Sequence, residues 1–475
     1  MEAVAHAVAT PEIPNHAVSL ADFGKGDGQT LNTDAFDKAI AELSARGGGQ
    51  LNVPPGKWLT GPIKLRSHIN LHLERGALIQ FSRDYRLYPL KVVDIRGDKK
   101  VDTTSPISGE NLENVAITGE GTLDGGGDAW RPAKKSKFSE SQWHTLVKSG
   151  GVLDEKGKIW WPSRGAMDGN RFVSKLRESH SLNPADYEPA HQFLRPKMLD
   201  LTGCKKVLLQ DFTIQNPPNW TMHPHLCEDV SILNVTVHNS PAAQNSDALD
   251  LESCRHAVIR DCNFDTGDDG ICLKSGRNAV GRRIGVPTED VLVENCTVYH
   301  AHGGFTIGSE MSGGVRNVRV NHCRFIGSEV GLRFKSARGR GGVVENIWIN
   351  DIQMTNIPRE AISFSMSYGG KASEEETVIE TGADVPPATE ETPQFRDIHI
   401  ENVVCNGAQM AMLLQGLPEM PLRNIKLKNV SIASERGISV TDAENISFEN
   451  VRVINKTGQL LKTTRISKCL LDFIK

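Results

Sequence analysis

The chain has 475 residues, enough for a very large core; length alone suggests two or three domains, although an elongated repeat protein can hold this many residues in one. Its 54 basic and 58 acidic residues nearly balance, so no global charge points to nucleic acid or to an anionic membrane. No apolar run approaches the roughly 20 residues of a membrane span. Nine cysteines, an odd number without a Cys-x-x-Cys pair, argue against a disulfide framework and a thiolate zinc site.

The N-terminal residues 1–16 are expected to form a tail, followed by a capping helix. The tail lacks the basic start and long apolar core of a signal peptide, so the protein is either cytoplasmic or has lost its export signal. Further on, Asn32 or Thr33 can act as a helix N-cap, and Phe36, Ile40 and Leu43 form an apolar stripe that ends at glycines. This pattern predicts a short amphipathic helix that covers the end of the repeats that follow.

Two segments have no regular pattern and are predicted to be inserted loops. Residues 131–197 are polar and rich in tryptophan, and are too long for a single connection. Residues 371–394 are acidic and rich in proline and threonine. We expect both segments to be lids or mobile loops beside the repeated core.

A repeat organises most of the chain from residue 207. Short β-branched segments with alternating side chains align with one another, beginning with "VLLQDFTI" at 207, "VSILNVTV" at 230, "AVIRDCNF" at 257, "VLVENCTV" at 291, "VRVNHCRF" at 318 and "IWINDIQM" at 347. A polar residue recurs at the same point of each segment, at intervals of roughly 23 to 34 residues, which is typical of solenoids. The pattern predicts an all-β right-handed parallel β-helix, formed as a single domain over 17–475.

An antiparallel β-sandwich also has short strands at regular spacing and is the alternative fold. A sandwich gives no reason for similar residues at the same point of successive repeats, whereas a β-helix stacks them into ladders. Cys262, Cys296 and Cys323 occupy one such point. They are therefore predicted to be small buried side chains of one ladder, without a role in catalysis or metal binding.

Polar residues outside this pattern follow the same spacing. Asp247 is followed about one coil later by Asp268 and Asp269, then by His302, and then by a basic pair at 333 and 335. Because adjacent strands lie about 4.8 Å apart, residues one coil apart at one sheet edge are neighbours. We therefore expect three carboxylates, a histidine and two cations at one place, with the glycines beside the Asp pair allowing both carboxylates to reach solvent. Repulsion among the three carboxylates favours keeping one of them protonated.

Each of these residues also has a plainer interpretation. Asp247 in "NSDA" can be an ordinary turn residue, Arg333 with Lys335 can be a solvated face, and His302 can be a loop histidine. The sequence "TGDDG" has the ingredients of a calcium loop, but the Asp-x-Asp-x-Asp-Gly spacing of such loops is absent. The combination of all four positions favours a catalytic site.

The four positions resemble the motifs of the polygalacturonases and related pectinases of glycoside hydrolase family 28. That family has Asn-Thr-Asp, Asp-Asp, Gly-His-Gly and Arg-Ile-Lys in this order, and the present chain has Asn245–Asp247, Gly267–Asp269, Ala301–Gly303 and Arg333–Lys335. The resemblance covers roughly residues 17–455. Departures such as Ser246 for the threonine and Ala301 for a glycine remove no functional group.

The resemblance implies inverting hydrolysis of α-galacturonosyl bonds in pectin. It assigns Asp268 as the general acid, and Asp247 with Asp269 as the residues that hold and deprotonate water. His302 would bind the acid or the substrate. Arg333 and Lys335 would bind the substrate carboxylate, and Lys274 is a further candidate for this work. No metal or other cofactor is expected.

The two inserted segments favour an enzyme that releases single galacturonate units from chain ends, because they could close one end of the groove. An endo-polygalacturonase or a rhamnogalacturonan hydrolase is the alternative. A calcium-dependent pectate lyase and a non-catalytic carbohydrate-binding solenoid are further alternatives. The expected partner is a pectic oligo- or polysaccharide, without nucleic acid or membrane insertion, and the expected location is periplasmic or secreted.

Overall fold

A computed structural model describes residues 8–367 and 385–473. These residues fall into two compact units. The N-terminal unit comprises Ala9–Asp250 with Asp265–Asp268, and the C-terminal unit comprises Leu251–Phe264 with the residues from Asp269 onward. Both units consist largely of parallel strands, which confirms the predicted parallel β-helix. The expectation that the chain is a single domain stays a prediction.

The N-terminal unit has the predicted strand register. Val207 lies opposite Val230 and Leu209 opposite Ile232, and all four side chains are fully buried. Its strands in the parallel sheet are Ala17–Ser19, Gly49–Val53, Gly56–Thr60, Ile63–Lys64, Ile69–Leu73, Ala77–Phe81, Ile107–Glu110, Glu113–Thr118, Thr122–Asp124, Leu199–Thr202, Lys205–Gln210, Thr213–Gln215, Met222–His225, Glu228–Leu233 and Thr236–His238.

The C-terminal unit continues the same alignment. Ala257, Val291, Val318 and Ile347 lie opposite one another on successive strands. Its strands are Arg255–Arg260, Ile271–Lys274, Thr288–Glu294, Thr297–Tyr299, Gly303–Gly308, Val315–Ile326, Val330–Lys335, Val343–Ser365, Gln394–Gln415, Leu422–Ser467 and Leu470–Phe473. It also contains the helix Asn278–Ile284. The strands Leu249–Glu252 and Asn263–Asp265 lie where the chain passes from one unit to the other.

The recurring polar residue of each repeat has a backbone role. Asp211 and Asn234 have φ angles of 70° and 51°, in the left-handed region, and their counterparts in the C-terminal unit share this conformation. Asparagine and aspartate tolerate that region better than other residues with a side chain. In addition, the side-chain amide of Asn234 donates a hydrogen bond to Asp211 at 2.8 Å. The repeat therefore places short polar side chains where each coil turns.

The cysteine ladder is also present. Cys262, Cys296 and Cys323 are fully buried in the C-terminal unit, and all nine cysteines of the chain are free thiols. None of the helices in the described residues combines the length and the hydropathy that a membrane span requires.

The predicted capping helix spans Thr33–Ala45 and buries Phe36, Ile40 and Leu43. Asn32 occupies the N-cap position, but its side chain makes no capping hydrogen bond. Its amide instead donates to the carbonyl of Thr30 at 2.7 Å and also bonds the backbone of Lys25, so it fixes the loop that leads into the helix.

Residues 131–197 fold into regular structure of their own. They form a three-stranded antiparallel sheet of Ala133–Lys134, Val152–Leu153 and Ile159–Trp161. Their helices are Glu140–Lys148, Arg164–Glu178 and Pro184–Tyr187, and a 3₁₀ helix, Glu188–Phe193, follows. The other 3₁₀ helices in the part of the chain that the structure describes are Leu20–Asp22, Tyr85–Leu87, Gly127–Ala129 and Lys135–Lys137.

This inserted region packs on a β-hairpin that the sequence analysis missed. The hairpin consists of Leu90–Ile95 and Asp98–Thr103, and its Leu90 and Val101 share an apolar cluster with Val173 of the inserted region. Of the second predicted loop, residues 371–384 lie outside the described residues, and most of the described remainder is exposed.

Candidate active site

Two of the predicted carboxylates meet in the N-terminal unit. Asp247 lies two residues before the strand Leu249–Glu252, and Asp268 lies three residues after the strand Asn263–Asp265. A carboxylate oxygen of Asp247 lies within 4.8 Å of one of Asp268. Asp247 is only 3% exposed, whereas Asp268 is partly exposed and can be reached from solvent. The two groups therefore have different environments, as an acid and a base require.

A hydrogen-bond network positions the two loops that carry them. The amide of Asn239 donates to the carbonyl of Ser246 at 3.0 Å and to the Thr266 hydroxyl at 3.2 Å. The Ser246 hydroxyl accepts from the backbone N–H of Gly267 at 3.3 Å, so serine can do here what the family's threonine hydroxyl could do. A side chain at Gly267 would come within 2.8 Å of the carbonyl oxygens of Ser240 and its neighbours, which explains the glycine.

Arg195 lies beside both carboxylates and was not predicted. Its guanidinium donates to the carbonyl of Gln244 at 3.1 Å and to the side-chain oxygen of Asn245 at 2.8 Å, two residues before Asp247. Burial lowers the pKa of Arg195 to about 10, against the opposing effect of Asp268 and Asp247, so the group stays charged at neutral pH. The hydrogen bonds of Arg195 thus hold the loop of Asp247 in place, and its positive charge attracts the carboxylates of both Asp247 and Asp268.

Asp269 is buried in the C-terminal unit, with two cations around it. Lys335 donates to one of its oxygens at 2.6 Å, and Arg333 and the Thr306 hydroxyl approach the other at 3.3 and 3.2 Å. Burial alone would raise the pKa of Asp269, but Lys335, Arg333 and Lys274 outweigh it and hold the pKa well below the ordinary value. The expectation that both aspartates reach solvent was wrong, because Asp269 is 1% exposed and is neutralised by these cations.

Two predicted lysines point inward. Lys335 is 6% exposed and its amine binds Asp269, so its ammonium is not presented to an open groove. Lys274 is 3% exposed, and its amine binds Glu310 at 3.2 Å and the carbonyl of Gly308 at 3.4 Å. The predicted contact between Lys274 and the substrate stays a prediction; in this geometry the buried ammonium of Lys274 is paired with Glu310.

His302 lies at the start of the strand Gly303–Gly308 and is about one-third exposed. Its Nε2 atom is 3.6 Å from Glu329. The next residue must be glycine, because a side chain at Gly303 would overlap the Thr306 hydroxyl and come within 3.1 Å of Asp269. The predicted histidine motif therefore serves partly to let the Asp269 carboxylate approach this strand.

A cavity of about 240 Å³ adjoins Arg195 within the N-terminal unit. Most of its wall comes from the inserted region, and the remainder comes from Trp130 and from the loop that precedes Asp247. The lining residues are Trp130, Pro132, Lys134, Ile159, Trp161, Gln192, Phe193, Arg195, Gln244 and Asn245.

The sequence model of the family described as "Glycosyl hydrolases family 28" matches residues 131–452. The chain belongs to this family. It is therefore a glycoside hydrolase. A probable polygalacturonase of Vitis vinifera is 31% identical over 91% of this chain and 78% of its own length, and an exo-poly-alpha-D-galacturonosidase of Dickeya chrysanthemi is 27% identical over 93% and 72%.

Two solved structures are also similar to this chain. An exopolygalacturonase from Thermotoga maritima has a TM-score of 0.74 and 32% identity, with 93% of this chain and 94% of that chain covered. The family 28 exopolygalacturonase of Yersinia enterocolitica has a TM-score of 0.76 over 97% of this chain and 79% of that one; at 19% identity it supports the fold alone.

Only some of the polar side chains around these carboxylates belong to the family 28 motifs. Arg195, Thr306 and Glu310 were not predicted as site residues. The Arg-Pro pair of "FLRPKML", directly before a strand, and the glutamate in "GSEMSGG" were the available signals. A single arginine or glutamate in a loop is too common a feature to be singled out without its partners.

Proposed function

We propose that this family 28 member is an exo-acting polygalacturonase that hydrolyses the terminal α-galacturonosyl bond of pectic chains. The observation that carries the proposal is the Asp247 and Asp268 pair beside Arg195, a residue that also lines a sugar-sized cavity of the same unit. Similarity to the exo-acting enzymes of Dickeya chrysanthemi and Thermotoga maritima supports it.

The two adjacent aspartates have different proposed roles because their surroundings differ. Asp269 is held ionised by Lys335 and Arg333, so it has no proton to donate at neutral pH. Asp268 is partly exposed, so a substrate can reach it, and it is the residue that the family resemblance assigns as general acid; we keep it in that role. It gives its proton to the glycosidic oxygen as the bond from that oxygen to the anomeric carbon breaks.

Asp247 is the proposed general base. It takes a proton from the water whose oxygen forms the new bond to the anomeric carbon, so one proton is donated and one is accepted in each turnover. The positive charge of Arg195 interacts favourably with both Asp268 and Asp247, so it stabilises negative charge in this carboxylate pair. The chain regenerates its starting state when Asp247 and Asp268 exchange a proton through solvent.

Inversion of configuration is the proposed stereochemical outcome, as the family resemblance implies. The oxygens of Asp247 and Asp268 lie within 4.8 Å, shorter than the roughly 6.5–9.5 Å usual between carboxyl groups in inverting enzymes. Proton NMR of the first product distinguishes inversion from retention of the anomeric configuration. A β-anomer supports Asp247 as base, whereas an α-anomer would make it a nucleophile.

Substrate binding is assigned to the partly exposed Arg333 and His302. The Arg333 guanidinium can bind a uronate carboxylate with paired donors, and His302 can bind a sugar hydroxyl. Lys335 acts with Arg333 through the Asp269 carboxylate that they share. We also propose a periplasmic or secreted location, because polymeric pectin does not cross a cytoplasmic membrane.

The products of polygalacturonate test the proposal. An exo-hydrolase releases saturated galacturonate monomer from the first minutes and is unaffected by a chelator. Mid-length oligomers at early times would indicate endo-attack, and an unsaturated product that requires calcium would indicate a lyase. Either of these results contradicts the proposed function.

A further inference from the structure

We infer that the cavity beside Arg195 is a subsite for a terminal uronate, whose carboxylate binds Lys134 and whose ring packs against Trp161. This inference deepens the proposed function and rests on it. The sequence motifs assign no role to this cavity or to the inserted region that forms most of its wall.

The strand register of the inserted sheet determines which side chains face the cavity. Lys134 lies opposite Ile159, and Ala133 lies opposite Trp160. Lys134, Ile159 and Trp161 line the cavity, whereas Ala133 and Trp160 pack with Trp143 in a separate apolar cluster. This separation follows from the alternation of side chains along a strand. The sheet therefore presents one cation and one broad aromatic surface together.

The charge of the cavity favours an anionic ligand. Its ten lining residues include Lys134 and Arg195 and no aspartate or glutamate. Arg195 is already bonded to Gln244 and Asn245, whereas Lys134 is exposed and has no carboxylate partner among the residues that the structure describes. Lys134 is thus the cation available to a ligand carboxylate, at which a charge-assisted hydrogen bond can form.

The size and position of the cavity fit one sugar residue. Its volume of about 240 Å³ is below the roughly 300–1,000 Å³ of drug-sized pockets. Trp130, Trp161 and Phe193 supply apolar surface, and Gln192 and Gln244 supply amides for hydroxyl groups. Because Asn245 lines the cavity two residues before Asp247, a ring held here lies next to the proposed catalytic carboxylates.

The inference is tested with two trisaccharides: trigalacturonate, and the same molecule with its non-reducing terminal carboxyl reduced to give galactose. The wild type should have a kcat/KM about tenfold higher for trigalacturonate, the factor expected for one charge-assisted hydrogen bond. Lys134→Ala should lose about tenfold on trigalacturonate and less than about twofold on the galactose-terminated substrate. Lys134→Arg should recover most of the loss, because it restores the cation.

Lys135→Ala is the matched control. It removes an exposed lysine from the next position, which does not line the cavity, and should leave both substrates unaffected. The inference is overturned if the wild type treats the two substrates alike, or if Lys134→Ala loses the same factor on both.

Failure of the proposed function would be visible separately, because the wild type would then release oligomers or hydrolyse neither substrate. In that case calorimetric titration with galacturonate and with galactose still decides the inference. Tighter binding of galacturonate, weakened about tenfold by Lys134→Ala, supports it. Galacturonate affinity that is absent, or unchanged in Lys134→Ala, overturns it.

Discussion

Replacing Lys335 with methionine would remove the nearest cation from the buried carboxylate of Asp269. The Lys335 amine lies 2.6 Å from one oxygen of Asp269, and Arg333 lies 3.3 Å from the other. Methionine has a similar length and no charge, so the variant keeps most of the packing of the lysine stem. The perturbation is therefore mainly electrostatic.

The expected loss of stability follows from these distances. At an effective dielectric constant of about 20, two unit charges 2.6 Å apart attract by about 6 kcal/mol. Part of this is offset, because the variant no longer buries an ammonium group, and breaking a buried pair typically costs about 3–5 kcal/mol. Since Arg333 still faces Asp269, we expect the low end, about 3 kcal/mol of unfolding free energy.

The loss should also depend on pH. The pKa of Asp269 in the folded protein is held well below its unfolded value of about 3.9, so its stabilising contribution is complete above that value and disappears as the pH falls further. In Lys335→Met the folded pKa of Asp269 rises. The difference in stability between wild type and variant should therefore be full at pH 7 and shrink as the solution is acidified.

Urea unfolding followed by circular dichroism, at pH 7 and at several acidic pH values, measures both effects. Lys428→Met is the control, because Lys428 pairs with Glu449 at 3.2 Å on the surface and should contribute less than about 1 kcal/mol. The reasoning is refuted if Lys335→Met is no less stable than this control at pH 7, or if its deficit does not shrink on acidification.

Two further substitutions test the surroundings of the proposed acid and base. Arg195→Gln should lower kcat about 10- to 100-fold on trigalacturonate, because the loop of Asp247 loses two hydrogen bonds. The kcat of Arg195→Lys should lie between those of Arg195→Gln and the wild type. An unchanged kcat in Arg195→Gln would contradict the positioning role. Gly169→Ala should raise KM severalfold with little change in kcat, because the added methyl group would overlap Phe193 at the wall of the cavity. A KM equal to that of the wild type would show that Phe193 moves without affecting binding.

The sequence predicted the coils because their pattern is local and repeated. The alignment of Val207 with Val230 relies on alternating side chains, and the left-handed turn at Asp211 and Asn234 recurs at Asp261, Asn295 and His322. Each repeat therefore supports the assignment of the next one. The hairpin of Leu90–Ile95 and Asp98–Thr103 occurs once and was missed, because a single hairpin offers no such support.

The positions of the catalytic motifs could be predicted, but the environment of each carboxylate could not. Asp268 and Asp269 are chain neighbours; the family resemblance assigned them different roles, but no local pattern indicated that Asp269 would be buried and Asp268 partly exposed. Their difference arises from partners that are distant in sequence, since Lys335 follows Asp269 by 66 residues. Burial of Lys274 beside Glu310, 36 residues later, has the same origin.

The inserted region was recognised by its composition, but its structure could not be predicted. Its sheet pairs Lys134 with Ile159 in an antiparallel register that no repeat reinforces. The region returns to the parallel coils through Arg195, which contacts Asn245 about 50 residues further on. The inserted region was expected only to close a groove, but it has its own folded structure and its own apolar cluster.

The most direct test of the account is the activity of Asp268→Asn on trigalacturonate. The amide preserves the shape of the side chain but cannot donate an acidic proton, so kcat should fall by about 10²–10⁴ while calorimetric affinity for the substrate stays within about threefold of the wild type. Asp265→Asn, three residues earlier, should retain full activity. A kcat of Asp268→Asn within tenfold of the wild type would contradict the assignment of Asp268 as the general acid.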